Sequence, residues 1–162
     1  MKWYLHVLKN YANFKGRARR KEYWMFVLIN ALISYAVSLL DYLSSSAFGV
    51  IGTIGVFSII YSFAMFVPNI AVTIRRFHDV GKSGWHILWG IVPAILVFFA
   101  AVLSFSTNGG YAFMGFFGIL MFGGFIYLFV LTVTEGEEGK NEYGPDPKNP
   151  TNELDQIGLS EV

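Results

Sequence analysis

Two polar segments carry most of the residues able to do chemistry. Arg75-Arg76-Phe77-His78-Asp79 leads into Gly81-Lys82-Ser83-Gly84-Trp85, and upstream stands Gly16-Arg17-Ala18-Arg19-Arg20-Lys21-Glu22-Tyr23-Trp24. His78-Asp79 is the kind of pair a metallohydrolase uses, but that chemistry needs further His and Asp ligands, and His6 and His86 are the only other histidines. Gly81-Lys82-Ser83 has the ending of a phosphate-binding loop, yet G-x-x-x-x-G-K-[ST] requires glycine where Arg76 stands, and no strand precedes it. Ser83, His78 and Asp79 are too close along one short segment for triad geometry, and no nucleophile elbow is present. With no cysteine, thiolate catalysis and thiolate metal sites are excluded. The reading is therefore non-enzymatic, with no cofactor, no metal and no nucleic acid called for.

What these residues do suit is an anion. Arginine presents a planar fork to phosphate, and each basic residue near an anionic lipid surface contributes ~1 kcal/mol. Arg17, Arg20, Glu22, Trp24, Arg75, Arg76, His78, Asp79, Lys82 and Trp85 are the candidates for a lipid or protein-partner site, with Glu22 and Asp79 as counter-ions. The competing reading is that the cations only set topology and that Trp24 and Trp85 belong to an interfacial aromatic belt.

The elements that must position these residues are membrane helices. Of 162 residues, 54% are hydrophobic, 18% aromatic and only 14% charged, where a soluble domain carries roughly 25% charge. Between Trp24 and Ile74 the single charge is Asp41, and between Gly84 and Thr134 there is none. A helix needs ~20 apolar residues to cross ~30 Å of hydrocarbon, so each region holds two passes. The expected spans are 24–40, 50–70, 85–103 and 113–133, divided by LDYLSSSAFG and SFSTNGGY. All twelve Lys and Arg then fall before the first span, between the second and third, or after the fourth. By the positive-inside rule both termini are cytoplasmic.

Trp3, Tyr4, Val7, Leu8, Tyr11 and Phe14 recur at helical spacing opposite Lys2, His6, Lys9 and Asn13, which predicts an amphipathic interfacial helix over 2–14. Pro68 and Pro93 interrupt spans two and three, and neighbouring elements can re-satisfy the carbonyls they free. Two glycine series, Gly49, Gly52, Gly55 and Gly115, Gly118, Gly123, Gly124, would permit close helix approach. Residues 1–147 form one membrane domain, and 135–162 an acidic cytoplasmic tail whose last part reads as disordered. The two basic segments hold eight basic residues, His78 included, against two acids, while the tail holds eight acids against two lysines. The tail should dock on the basic segments, through Asn141, Tyr143 and Asp146.

Gly16-Arg17, Arg20-Lys21-Glu22-Tyr23-Trp24, Pro68, Arg75-Arg76-Phe77-His78-Asp79, Gly81-Lys82-Ser83-Gly84-Trp85, and Asn141 with Tyr143-Gly144-Pro145-Asp146-Pro147 together resemble the domain-of-unknown-function 805 family of small bacterial inner-membrane proteins. The resemblance covers Tyr4 to Pro147. Phe77 stands where the family pattern has Leu, and Arg19 where a small residue is common. The resemblance implies a polytopic protein of the bacterial inner membrane and no activity. The expected fold is all-α, with four transmembrane helices, an N-terminal interfacial helix and a short polar tail. The expected role is a module that binds anionic membrane lipid or a protein partner at its cytoplasmic face. A small transporter or channel, assembled as a homo-oligomer, is the alternative, and a lipid-modifying enzyme comes third.

Overall fold

The computed structural model describes residues 2–48, 55–106 and 110–148. Among the described residues five α-helices follow one another: α1 (Lys2–Lys9), α2 (Arg20–Phe48), α3 (Val56–Asp79), α4 (Leu88–Ser106) and α5 (Gly110–Val133), with a 3-10 turn, Gly84–Ile87, before α4. Among the described residues four helical stretches are long and apolar enough to cross a membrane: Arg20–Ser44, Val56–Asp79, Gly84–Ser104 and Tyr111–Val133. Their outward surfaces are apolar, with Leu32, Phe63, Phe98 and Ile119 all exposed. Such a surface is stable only against lipid, which also explains why every span is a helix that satisfies its own backbone. The protein is an all-α polytopic membrane protein.

α1 is shorter than its apolar pattern suggests. The Asn10 side chain donates to the His6 carbonyl at 3.0 Å and Asn13 Oδ1 accepts from Lys15 N at 3.1 Å, local bonds that compete with continuing the helix. Its apolar face is used inside the fold. Val7 joins Ala18, Phe26 and Val72 in a fully buried cluster, and Tyr4 stacks on Phe26 with ring centroids 5.4 Å apart.

α2 runs through the expected divider at Asp41. The Asp41 carboxylate accepts from Phe57 N at 3.0 Å, Ser58 N at 2.8 Å and Ser58 Oγ at 2.5 Å. It therefore caps the N-terminus of α3 from the neighbouring helix, satisfying N–H groups that have no partner within α3. Residues 49–54 and 107–109, with Gly49, Gly52 and the remainder of both expected dividers, lie outside the described residues, as do 149–162 of the tail.

α4 and α5 form the most extensively packed pair. A Cβ at Gly124 would run into the Trp89 carbonyl oxygen, whereas one at Gly115, Gly118 or Gly123 would meet nothing. Of the second glycine series only Gly124 serves close approach in this way.

Candidate functional site at the charged end

The C-terminus of α3 is the centre of the charged end. Its last turns carry Arg75, Arg76, Phe77, His78 and Asp79, all buried except the partly exposed His78. Residues 16–19 cross this helix end, with Ala18 N donating to the Arg75 carbonyl at 2.9 Å. Residues 135–148 return over it from the end of α5, with Glu137 N donating to the Asp79 carbonyl at 2.8 Å and Asn141 Nδ2 to the His78 carbonyl at 2.9 Å. The Asp79 carbonyl, which the helix end leaves unpaired, is thus taken up by the returning tail.

Asp79 is the hub. One carboxylate oxygen accepts from Arg17 Nε at 3.0 Å and the other from Arg76 Nη1, with all three side chains buried. Arg76 is wholly buried and also donates to the carbonyls of Thr132 at 3.1 Å, Ala18 at 3.3 Å and Thr134. Arg20 Nη1 donates to the Val133 carbonyl at 3.0 Å and Trp24 Nε1 to that of Thr132 at 3.3 Å. These donors cap the C-terminus of α5, where orphan carbonyls and the negative end of the helix dipole favour cations. Arg17 also donates to the carbonyls of Glu137 and Gly139, tying the tail to the N-terminal segment. A Cβ at Gly136 would strike the Asp79 carboxylate, so only glycine lets the tail pass here.

A second buried pair joins α2 to α3: Arg75 Nη1 lies 3.1 Å from Glu22 Oε1, while Arg75 Nε and Nη2 are buried without a partner among the described residues. His78 Nδ1 donates to the Gly16 carbonyl at 3.1 Å, and its ring lies parallel to Tyr143, with centroids 3.9 Å apart at 4°. Asn141 and Gly144 exchange backbone hydrogen bonds of 3.1 Å, and Asp146 Oδ1 accepts from Lys148 N at 2.8 Å. Ser83 Oγ accepts from Trp85 N at 3.2 Å, and so caps the 3-10 turn.

The structure therefore brings Arg17, Glu22, Trp24, Arg75, Arg76, His78, Asp79, Asn141 and Tyr143 into one interlocked assembly, with Asp146 buried in the tail and Arg20 at the edge. Lys82 and Trp85 stand apart on the surface, Trp85 at 78% exposure. The residues that sequence reasoning missed are the partners: Thr132 and Thr134 by their carbonyls, and Glu135, Glu137 and Gly136 in the tail. Only the eight-acid tail was a usable signal for them, because backbone acceptors have no sequence signature.

On the outer side of this assembly is a cavity of about 280 Å³ lined by Arg19, Arg20, Lys21, Lys148, Gly136 and Asp79. Arg20 pairs with Glu135 in the open, their side chains 42% and 70% exposed. Arg19 donates to the Pro147 carbonyl and lies 5.1 Å from the ring centroid of Trp3.

Comparison with known proteins bears on these same residues. Residues 11–145 match the family described as protein of unknown function (DUF805), which is most of the chain. The chain belongs to this family. Among its relatives, inner membrane protein YhaH of Escherichia coli (strain K12) is 36% identical over 148 residues, covering 91% of this chain and 98% of the relative. Inner membrane protein YhaI of the same strain is 37% identical over 152 residues, covering 94% and 100%. No solved structure matches. The family match takes in both basic segments and the tail as far as Pro145, so the assembly around Asp79 falls almost entirely within it.

Proposed function

We propose that this protein is a non-enzymatic module of the bacterial inner membrane, its charged end cytoplasmic, which holds the phosphate of an anionic lipid headgroup in the cavity lined by Arg19, Arg20, Lys21 and Lys148. The single observation that carries this reading is the division of labour among the cations. Arg17, Arg75 and Arg76 are buried on internal partners, and a headgroup could reach them only by dismantling helix caps. They act as the frame that holds the end of α2 and the tail in register. The cations around the cavity are more accessible: Lys21 and Lys148 are exposed, Arg19 and Arg20 each spend one bond on a backbone carbonyl, and the exposed Arg20–Glu135 pair is worth at most ~1 kcal/mol, less than a phosphate can return through charge-assisted bonds. The positive end of the α2 dipole adds to the same attraction. Lys82 and Trp85, which stand apart from the site, serve as interfacial anchors.

The test is native mass spectrometry of the protein released from nanodiscs of phosphatidylglycerol and phosphatidylcholine, beside Arg20→Ala/Lys21→Ala. Retained phosphatidylglycerol should fall by about tenfold or more in the variant, since two residues at ~1 kcal/mol each are removed. Equal retention would refute the headgroup site. A higher oligomer that forms regardless of lipid would instead favour transport.

A further inference from the structure

A second cavity, of about 480 Å³, lies between the membrane-spanning parts of α2 and α3 and reaches, at Thr73 and Ile87, to the edge of the charged end. Its polar lining comes from Asn30 and Ser34 of α2 and from Tyr61, Ser62, Asn69 and Thr73 of α3. Both sets follow helical spacing, so they form facing stripes. Ser62 to Thr73 spans ~16 Å along α3 at 1.5 Å per residue. Ile87 and Ile91 close the third side, where α3 packs on the 3-10 turn and α5 more than along α4. The result is a cleft that opens sideways into the membrane, with Phe66 on its rim at 61% exposure.

No residue lining the cleft carries a formal charge. A phosphate or carboxylate would lose its hydration there without a counter-ion, which is prohibitive. The hydrogen-bonding groups are also partly spent in a way that leaves a defined remainder. Tyr61 Oη donates to Asn30 Oδ1 at 2.6 Å, Asn69 Nδ2 to the Met65 carbonyl at 2.7 Å, and Thr73 Oγ1 to the Asn69 carbonyl at 2.7 Å. Ser34 and Tyr4 are also hydrogen-bonded to the Tyr61 hydroxyl, which leaves the Asn30 amide and the Ser62 hydroxyl as donors and Asn69 Oδ1 as acceptor. Uncharged polar side chains in hydrocarbon are costly unless used, and the volume falls in the range of ligand pockets. Donors and acceptors together suit a hydroxyl adjoining ester carbonyls, and a lateral opening flanked by apolar walls suits a ligand that arrives from the bilayer with its chains trailing into it.

We propose that this cleft binds the neutral glycerol head of an acylglycerol lipid of the diacylglycerol type. This inference is independent of the anionic site, which uses different residues at a different depth.

The experiment uses the full chain in phosphatidylcholine nanodiscs containing a diacylglycerol with a photoreactive acyl chain, with crosslinks mapped by peptide mass spectrometry. Labelling should concentrate on α2, α3 and the start of α4, and excess unlabelled diacylglycerol should suppress it. Asn69→Leu should reduce it at least fivefold, and Ile91→Phe, which fills the cleft from α4 and leaves every polar group intact, should do the same if Asn69→Leu fails to fold. Arg20→Ala/Lys21→Ala should leave it unchanged. Equal competition by phosphatidylglycerol, labelling spread evenly over the outer face of α5, or indifference to both cleft variants would overturn the proposal. Competition by millimolar free glycerol would reassign the cleft to a soluble polyol and overturn it equally.

Discussion

Asp79 shows how far one side chain in this fold depends on others. It neutralises two arginines from different segments, Arg17 and Arg76, while all three are out of contact with solvent. Removing its charge strands both partners, and a broken buried pair costs ~3–5 kcal/mol. Asp79→Asn should therefore lower the unfolding temperature in detergent sharply. The replacement of the other buried pair by apolar residues of similar size, Glu22→Leu/Arg75→Met, should stay within ~1 kcal/mol of the parent, because Arg75 already keeps two buried nitrogens without a partner among the described residues. An equal loss in the two proteins would refute the distinction. At this scale the sequence was only half legible. Glu22 and Asp79 were readable as counter-ions, being the only acids within the two basic segments. Which arginine each would serve was not, since Arg75 and Arg76 are adjacent and point to different helices.

The prolines belong to the scale of elements. Pro68 has no N–H, so the Ala64 carbonyl four residues earlier lacks its helical partner, and Tyr11 Oη, from the segment after α1, donates to it. Pro93 frees the Trp89 carbonyl in the same way, and that oxygen faces Gly124, whose missing Cβ lets the α5 backbone approach. The first interruption is thus repaired by a neighbouring element, as membrane helices require, and the second is covered by the closely packed α5 backbone. If the Tyr11 bond serves this purpose, Tyr11→Phe costs ~1–2 kcal/mol in the parent and little in a Pro68→Ala background, where the new N–H takes the carbonyl. Unfolding of the four proteins of this cycle checks the coupling, and equal costs in both backgrounds would rule the repair out. The sequence foretold the helices and both interruptions from hydropathy and residue type. It did not foretell the end of α2, because Asp41 looked like a turn residue and became a cap once α3 was packed beside it.

At the scale of the whole molecule, the N-terminal segment and the tail meet on the end of α3, so residues more than a hundred positions apart share one surface. The positive-inside rule leads us to expect that surface on the cytoplasmic side. With no native cysteine, single probes at the exposed positions Lys9→Cys and Lys140→Cys have a clean background. A membrane-impermeant maleimide should miss both in intact cells and label both in inverted vesicles. Labelling of either in intact cells would overturn the orientation and, with it, the cytoplasmic anionic site.

The sequence alone determined that this chain is a membrane protein with four apolar helices, an amphipathic N-terminus and charge confined to a few segments, because hydropathy and helical period are local properties written along the chain. It also carried the family motifs, and so the membership later found over residues 11–145. Only the tertiary structure decided what the motif residues do. Arg17, Arg76 and Asp79 acquire their partners from α3, α5 and the tail at once, and the bonds end largely on backbone carbonyls. A backbone carbonyl is the same at every position, so nothing in the residue types could say which of them a buried arginine would find.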